Sequence, residues 1–460
     1  MAMRWWCAPL LASVSLASMA QPDWQATGMP FSTTRITRFH HDSVQDVFYI
    51  AGRVQELPDP GWNSNVLVRY DHGQWEALGL FDYSLFDVVV YRDTLIVVGY
   101  FSNVDGNPIA NVARYVNGAW GSMGDFSAQV HRLRVLDGEL YAAGPFQTVD
   151  GQPANGLAKW VGGQWQPVGL PPMTNPSAFM PYDVALYQGK LYLGGTFSFS
   201  GTYQDIMVWD GVSWEPVGGS LLGGLNWVNS MEVYQDKLIV GGVFDNAVGN
   251  AGNAIMSWDG STWAPLGTGI QDASGNYHQG QQVYCLKEHQ GLLFVGGTHN
   301  YAGNVPSAAI STWDGHRWCN VGDAVFNGNN VVGIGFYEDT LWVGCGPYID
   351  GDSVHYMAKW VGGAYSDTCS VAVGVEEPLG AEVAGVRVAV LGEGQLAVHG
   401  LPDGRHRAHL FDASGRALKE LVFSSTGGVG EPVRSVGLAA GGYVLQVPAG
   451  GAVRFVVDGR

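Results

Sequence analysis

Charged side chains are scarce in this chain, and basic ones are the scarcest. Charged residues make up 14% of the 460 residues, and 23 basic residues stand against 41 acidic ones, for a formal net charge of −18. Sequence-independent nucleic-acid binding needs Lys and Arg to displace counterions, and anionic membranes attract basic patches. The composition therefore argues against both partners and fits a soluble extracellular protein.

Long apolar runs are also missing, except at the N-terminus. An apolar run follows Arg4, and small residues at Ser18 and Ala20 suit cleavage before Gln21. The run is too short to span a bilayer, so residues 1–20 are predicted to be a secretory signal peptide rather than a buried helix. No other segment has transmembrane length, so we expect no membrane insertion and a secreted or surface location after cleavage near Ala20.

Cysteines are few and lack CxxC spacing, which argues against a zinc site. One lies in the signal peptide, and the others are Cys285, Cys319, Cys345 and Cys369. In an oxidising compartment these four thiols can form two disulfides in three pairings. Four buried free thiols are the alternative, and the sequence leaves both open.

Catalytic motifs are missing as well. The chain has no GxSxG, HExxH or P-loop pattern, and its histidines show no ligand spacing. The loops at Asp105-Gly106 and Asp350-Gly351 are compatible with structural calcium, but they have fewer ligands than an EF-hand loop. We therefore predict no cofactor and do not expect an enzyme.

Glycine and aromatic residues, in contrast, are abundant and recur in a fixed order. A pattern repeated seven times starts with an apolar strand ending in small residues, such as 191–195, and continues through a longer loop to a strand that ends in an aromatic. A second aromatic follows five residues later, across turn dipeptides such as Asp259-Gly260 that favour tight hairpins. A further strand, such as 182–187, precedes each glycine-terminated one. The paired aromatics are Tyr70 and Trp75, Tyr115 and Trp120, Trp160 and Trp165, Trp209 and Trp214, Trp258 and Trp263, Trp313 and Trp318, and Trp360 and Tyr365.

Four strands in a unit of about 45–55 residues are typical of a propeller blade. We therefore predict an all-β fold: a seven-bladed β-propeller of four-stranded blades over residues 21–370, followed by a small C-terminal β-sandwich. The repeat resembles kelch-like and galactose-oxidase-like propeller repeats, and it is most similar to repeats of exported bacterial surface proteins. This resemblance implies a fold rather than a function, because propellers carry many unrelated activities.

Closure of the ring has two candidate strands. The Trp-x-x-x-Gly pattern of the fourth strand also occurs at Trp24, before the first unit begins. We predict that this N-terminal strand completes the last blade and removes an open sheet edge. The segment at Tyr365 competes for the same place, although it lacks both the Trp and the Gly.

The C-terminal part has a different pattern. Residues 371–384 are predicted to be a linker, and residues 385–460 contain short alternating strands typical of a β-sandwich. Two motifs there resemble those of type A sorting domains of the type IX secretion pathway, with Asp412, Gly415 and Arg416 in the first and Gly441 and Tyr443 in the second. The resemblance implies that residues 385–460 engage the type IX machinery, followed by release or surface attachment. A structural accessory module is the alternative.

Candidate ligand-binding residues lie in the long loops. Only Trp62 and Trp227 fall outside the signal peptide and the regular strand positions, and loop aromatics can bind sugars or proteins. Two further loops offer residues that can line one polar pocket, with solvated loop residues as the alternative: Asp272, Asn276, Tyr277, His278, His299 and Tyr301. The predicted function is a binding or adhesion module for glycan or protein partners. A passive scaffold for other surface proteins, and a hydrolase or oxidase with its site at the channel mouth, are the alternatives.

Overall fold

The computed structural model describes residues 23–55, 65–170, 179–199, 202–203, 205–222, 226–271, 281–322, 325–326, 328, 330–362, 365, 368–369, 387–391, 395–399, 403–412, 417–426, 429–430, 433–434, 441–447 and 451–457. The predicted signal peptide and the predicted linker lie outside these ranges. No helix in the described ranges has the length and apolarity needed to cross a membrane.

Seven antiparallel sheets make up the described chain as far as Trp360. Sheet 1 contains β2 (Ser32–Asp42), β3 (Val47–Gln55), β4 (Asn65–Asp71) and β5 (Gln74–Phe81). Sheet 2 contains β6 (Leu85–Tyr91), β7 (Thr94–Gly99), β8 (Val112–Val116) and β9 (Ala119–Ser122). Sheet 3 contains β10 (Arg132–Leu136), β11 (Glu139–Ala143), β14 (Leu157–Val161) and β15 (Gln164–Pro167). Sheet 4 contains β16 (Met180–Tyr187), β17 (Lys190–Thr196), β20 (Ile206–Trp209) and β21 (Trp214–Pro216).

The remaining sheets repeat this plan. Sheet 5 contains β22 (Trp227–Tyr234), β23 (Lys237–Val243), β24 (Ile255–Trp258) and β25 (Trp263–Pro265). Sheet 6 contains β27 (Gln282–His289), β28 (Leu292–Thr298), β31 (Ile310–Trp313), β32 (Trp318–Asn320) and an added fifth strand, β38 (Thr368–Cys369). Sheet 7 contains β33 (Val331–Tyr337), β34 (Thr340–Cys345), β37 (Met357–Trp360) and, outermost, β1 (Trp24–Ala26).

The first strands of these sheets contact one another in a closed ring. Strand β2 contacts β6, and the contacts continue in chain order through β10, β16, β22 and β27 to β33, which contacts β2 again. Four-stranded meanders arranged radially around an axis form a β-propeller. The β-propeller prediction is therefore confirmed.

The N-terminal strand closes the ring. Strand β1 pairs antiparallel with β37, with Trp24 opposite Trp360. The segment after Tyr365 joins the neighbouring sheet instead, because β38 pairs with β32. The prediction that Trp24 rather than Tyr365 supplies the outer strand of the last sheet is confirmed.

The five-residue step between aromatics places them opposite each other across a hairpin. Trp160 lies opposite Trp165 in the register, and their ring centroids are 5.2 Å apart. Trp24 and Trp360 form the equivalent pair across the closure, with centroids also 5.2 Å apart. Such aromatic pairs add about 0.5–1.5 kcal/mol to the burial of the rings. The constant spacing is therefore a packing requirement of the outer hairpin.

Several fourth-strand tryptophans also join their sheet to the preceding one. The indole Nε1 of Trp165 donates to the Met123 carbonyl oxygen at 2.5 Å, and Trp318 donates to Leu266 at 2.9 Å. Trp24 donates to the Val321 carbonyl oxygen at 3.4 Å. The closing strand β1 thus makes the same indole-to-carbonyl hydrogen bond, although it comes from the N-terminus and does not follow the third strand of its sheet along the chain.

Small hairpins cover the long-loop face, the end of the ring that carries connections such as 100–111 and 144–156. Their strands are β12 (Thr148–Val149), β13 (Gln152–Pro153), β18 (Ser198–Phe199), β19 (Thr202–Tyr203), β26 (Ile270–Gln271), β29 (Tyr301–Ala302), β30 (Val305–Pro306), β35 (Tyr348–Ile349) and β36 (Asp352–Ser353), and a 3₁₀ turn spans Asn246–Val248. The Asp105 carboxylate accepts the Leu80 backbone N–H at 2.7 Å, and Asp350 accepts the Val325 N–H at 2.7 Å. The aspartates of these Asp-Gly loops, considered above for calcium, therefore accept hydrogen bonds from the backbone near the end of the preceding fourth strand or in the connection that follows it.

Two of the four candidate disulfide cysteines are free thiols. Cys285 and Cys345 are buried and unbonded, whereas Cys319 is bonded, so neither alternative left open by the sequence, two disulfides or four free thiols, is correct. Cys285 lies in the first strand of sheet 6 and Cys345 at the end of β34 in sheet 7, where each packs in the apolar core between the two sheets. Cys319 is disulfide-bonded, and the residue opposite it in the strand register is Cys369.

The C-terminal strands form a separate sheet. They are β39 (Arg387–Leu391), β40 (Gln395–His399), β41 (Gly404–Asp412), β42 (Ala417–Thr426), β43 (Val429–Gly430), β44 (Val433–Arg434), β45 (Gly441–Val447) and β46 (Gly451–Val457). The hydrogen-bonded path runs from β39 to β46, and these two end strands contact each other, so the sheet folds over on itself. Alternate residues such as Leu421 and Phe423 are buried between its layers. Strands β41 and β45 pair with Asp412 opposite Tyr443, which brings the two motifs of the sorting resemblance together.

Candidate functional site

A cavity of about 370 Å³ lies on the ring axis at the long-loop face. It is lined by residues at the beginnings of the first strands, together with the end of β3 and the end of the connection after β5. Every sheet contributes at least one residue. The lining consists of Arg35, Thr37, Arg38, Gly52, Arg53, Ser84, Leu85, Phe86, His131, Tyr182, Trp227, Asn229, Tyr284 and Val332.

A bulge in the first strand aims most of these side chains at the axis. The register between the first and second strands shifts at Tyr182 in sheet 4, which leaves this residue unpaired between Pro181 and Asp183. A bulge adds one residue to one strand and redirects the local side chain. The unpaired residues at the equivalent shifts are Thr37, Phe86, Asn229, Tyr284 and Val332, and in sheet 3 His131 directly precedes β10.

In six of the seven sheets a glycine at or near the end of the second strand makes room for the backbone of the first strand, whereas in sheet 7 this position is Cys345. A Cβ added to Gly144 would lie 2.5 Å from the Gln129 carbonyl oxygen, and the corresponding Gly99 faces the Ser84 carbonyl oxygen just as closely. The backbones of the first two strands therefore approach too closely for any side chain. The repeated glycine noted in the sequence is thus part of the construction of the cavity wall.

Aromatic rings form one side of the cavity. The His131 ring stacks on Tyr182 with centroids 5.3 Å apart and 15° between planes, and Phe86 meets His131 edge-on at 5.5 Å. The Nδ1 of His131 donates to the Pro181 carbonyl oxygen at 3.0 Å, and its Nε2 accepts from the Gln129 amide at 3.0 Å. Burial lowers the pKa of His131. The imidazole is therefore neutral and serves as part of a flat, rigid wall.

Tyr284, Asn229 and Trp227 continue the wall through sheets 5 and 6. The Tyr284 hydroxyl accepts a hydrogen bond from the Gln282 amide at 2.7 Å, and Asn229 donates to the Val283 carbonyl oxygen at 2.9 Å. Burial raises the pKa of Tyr284, and the nearby charge of Arg35 opposes that rise. Rings with fixed orientations and a few polar groups are typical of small-ligand sites.

The opposite side of the cavity is basic. Arg35 and Arg38 lie on β2 and Arg53 on β3, and all three line the cavity. Arg53 donates from Nε to the Ser84 hydroxyl at 3.0 Å, and Arg38 donates to the Thr37 carbonyl oxygen at 2.8 Å. Burial, with a smaller effect from Arg132, lowers the pKa of Arg38 from 12.5 to about 10. None of the lining residues is a carboxylate.

A charged layer lies below the cavity and ties neighbouring sheets together. Asp183 is fully buried and binds Arg132 and Arg134, with N–O distances of 2.9 and 2.8 Å. Burial would raise the pKa of Asp183, but the two guanidinium groups outweigh it and hold the pKa well below its ordinary value. Asp183 also accepts the Met231 backbone N–H of the next sheet at 2.8 Å. These groups satisfy one another, so we assign them a structural role.

The expected ligand-binding residues are only partly brought together. Trp227 lines the cavity, although it begins strand β22 and is not a loop residue. His299, a candidate for the polar loop pocket, is instead buried, and its Nε2 lies 2.8 Å from the Ser311 hydroxyl. Tyr301 belongs to strand β29, opposite Gln271, and does not line the cavity. Trp62, Asp272, Asn276, Tyr277 and His278 lie outside the described residues.

Sequence reasoning missed the bulge residues and the arginines. A signal was present, because each bulge residue directly precedes the start of the regular part of a first strand, as in Val283-Tyr284-Cys285. Its chemistry varies between repeats, from Thr37 to Tyr182 to Val332, whereas the flanking positions stay mainly apolar or small. When the residue type varies at one fixed position of a repeat, packing does not determine which side chain is present there.

Three solved structures show what the chain is similar to. The β-propeller domain of the Trilobed protease from Pyrococcus furiosus aligns with 73% of this chain and 99% of that one, at 9% identity and a TM-score of 0.44. An ancestral GH74 enzyme aligns with 95% of this chain and 78% of its own, at 12% identity and a TM-score of 0.31. The tricorn protease aligns with 92% and 44%, at 11% identity and a TM-score of 0.32. No protein-family profile and no curated protein matches the chain.

Proposed function

We propose that this protein is an exported binding module and that it holds a glycan ligand in the cavity at the channel mouth. The observation that carries the proposal is the ring of bulged side chains, which turns Phe86, Tyr182 and Tyr284 toward one cavity. Sugar rings stack on aromatic faces, and amide and guanidinium groups bind their hydroxyls. This ring of side chains supports the binding role predicted from the sequence.

Hydrolysis at the same place is less well supported. Glycosidases typically use a pair of carboxylates beside the scissile bond, and the cavity lining contains none. The nearest buried carboxylates, Asp87 and Asp183, are bound to backbone N–H groups and arginines of the neighbouring sheet. We therefore favour binding over catalysis.

A panel of glycans tests the binding role. The full chain should bind at least one member, and Tyr182→Ala and Trp227→Ala should each weaken that binding about tenfold. Removing an aromatic stacking partner costs about 1–3 kcal/mol of binding free energy for a nucleobase, and a sugar ring is of similar size. Tyr348→Ala is the matched control, since Tyr348 is exposed in β35 and does not line the cavity. Binding that is unaffected by both cavity variants would contradict the proposal.

Export forms the second part of the proposal. The N-terminal apolar run supports cleavage near Ala20, and the paired strands carrying Asp412 and Tyr443 support a sorting role for residues 385–460. We propose that the type IX machinery recognises this C-terminal unit and delivers the protein outside the cell. Deleting residues 385–460 should leave the propeller in the periplasm, and normal secretion of the truncated protein would contradict the sorting role.

A further inference from the structure

Three arginines line the channel-mouth cavity, and none of the lining residues is acidic. The chain contains 41 acidic and 23 basic residues, so a surface with guanidinium groups and no carboxylate runs against its average. Arg35, Arg38 and Arg53 line the cavity together, and among the described residues none of them forms an ion pair. The basic side of the cavity is therefore a local feature and not a consequence of composition.

Several other arginines of the same protein form ion pairs. Arg69 binds Asp71 and Glu76 at 3.1 and 2.9 Å, and Arg317 binds Asp314 at 2.8 Å. Directly below the cavity, Arg134 binds Asp183 at 2.8 Å. Each of these three arginines is accompanied by a carboxylate. The three cavity arginines differ from this pattern.

Arg35 and Arg53 also face each other directly. They are register partners in the antiparallel pair β2 and β3. Like charges placed opposite each other on neighbouring strands destabilise a sheet, and nothing in the described surroundings neutralises them. An arrangement that costs stability in the empty protein is typical of a functional site.

Arg38 is more buried than Arg35 and Arg53, and one of its N–H groups makes no hydrogen bond to the described residues. Its Nε atom is buried and has no partner among the described groups, while one terminal nitrogen donates to the Thr37 carbonyl oxygen. A partly desolvated guanidinium gains from a nearby anion more than an exposed one does. Arg38 therefore adds to the attraction for a negative group that enters between Arg35 and Arg53.

We propose that the ligand of this cavity is an acidic glycan, whose carboxylate or sulfate oxygens are held by Arg35, Arg38 and Arg53 while its sugar ring rests on the aromatic wall. The inference rests on the proposed glycan-binding function and names its ligand class. Guanidinium groups bind both oxyanions through charge-assisted hydrogen bonds, and bidentate contact favours the planar carboxylate.

Calorimetric titration of the full chain with three probes tests this proposal. The probes are a galacturonic acid trimer, a sulfated galactose trimer and an unmodified galactose trimer. At least one acidic trimer should bind about tenfold or more tightly than the neutral one, because hydrogen bonds to charged groups contribute about 1.5–3 kcal/mol. The tighter of the two acidic probes identifies the oxyanion.

Arginine variants locate the effect. Arg35→Gln and Arg53→Gln should each weaken binding of the acidic trimer far more than binding of the neutral trimer, whereas Arg114→Gln, on the exposed side of β8, should change neither. Without ligand, Arg35→Gln should also raise the melting temperature, because it removes the opposed charges. This second readout does not depend on any probe.

The outcomes separate the two proposals. If acidic and neutral trimers bind equally, and only Tyr182→Ala weakens them, the glycan site stands and the acidic preference is overturned. If neither Arg35→Gln nor Arg53→Gln reduces binding of the acidic trimers, the arginine assignment is overturned. If no trimer binds and Arg35→Gln does not raise the melting temperature, both the ligand class and its structural basis are overturned.

Discussion

Glycines after the fourth-strand tryptophans are explained at the scale of single residues. Gly124 has a φ of 109°, and a Cβ there would lie 2.6 Å from Cδ1 of Trp165 in the next sheet. The glycine of the Trp-x-x-x-Gly pattern is thus needed because the tryptophan of the next sheet packs against it. Periodicity predicted that the position matters, but only the structure shows that the next tryptophan lies against it.

Gly124→Ala should destabilise the propeller by about 2–4 kcal/mol, since it combines backbone strain with a steric clash. Gly118→Ala is the matched control, because Gly118 also has a positive φ, of 79°, but open space around it. Urea unfolding should give a loss for Gly118→Ala of about 1 kcal/mol. Equal losses for the two variants would show that the contact with Trp165 contributes nothing.

His299 should make stability depend on pH. Burial lowers its pKa from 6.5 to about 3, so the folded protein resists protonation while the unfolded chain accepts a proton below pH 6.5. Stability is therefore lost as the pH falls from 6.5 toward 3, with about 2 kcal/mol lost between pH 8 and pH 5. His299→Asn should flatten this part of the unfolding curve.

The exposed His316 supplies the comparison for that measurement. His316→Asn should leave the slope of stability against pH between 5 and 8 unchanged. If His299→Asn also leaves it unchanged, the buried imidazole is not the source of the acid sensitivity.

Strand β1 is the decisive element for closure. Its single tryptophan contacts Phe326 and Trp360 edge-on, with centroids 5.3 and 5.2 Å away, and is buried. Trp24→Ala should lower the free energy of unfolding by about 3–5 kcal/mol, the cost of removing a buried aromatic ring. Urea unfolding of the full chain measures it.

Tyr365→Ala provides the contrast. Tyr365 is only partly buried, and its segment leads to the strand added to sheet 6. The loss for Tyr365→Ala should be clearly smaller than that for Trp24→Ala. A larger loss at Tyr365 would mean that the C-terminal segment, and not β1, holds the ring closed.

Strand elements were largely predictable because each is a copy of another. The same aromatic spacing occurs seven times, so that one recognised hairpin identifies the other six. The same comparison identifies the single fourth-strand copy at Trp24. The added strand β38 was not predictable, since two residues carry no periodicity. The bulge in each first strand was also missed, because its signature is one extra residue in an otherwise regular apolar run.

At the scale of the whole molecule, the fold could be predicted from the sequence, but most of the candidate site could not. Repetition predicts the ring, whereas the cavity is assembled from single residues of seven different sheets, such as Phe86, Tyr182 and Tyr284. Which of them face the axis depends on the bulges and on closure. Trp227, predicted as a loop residue outside the repeated aromatic positions, begins a strand and lines the cavity, whereas Arg35 and Arg53 became candidates only when their register showed them opposed.

Hydrogen exchange of the full chain with its tightest-binding glycan tests the location of the site most directly. Bound ligand should slow exchange in peptides covering the beginnings of the first strands, at 34–38, 84–88, 181–185 and 282–286, and should leave the C-terminal strands unchanged. Protection confined to the opposite end of the ring or to residues 387–457, with none at these four segments, would contradict the account of the channel mouth as the binding site.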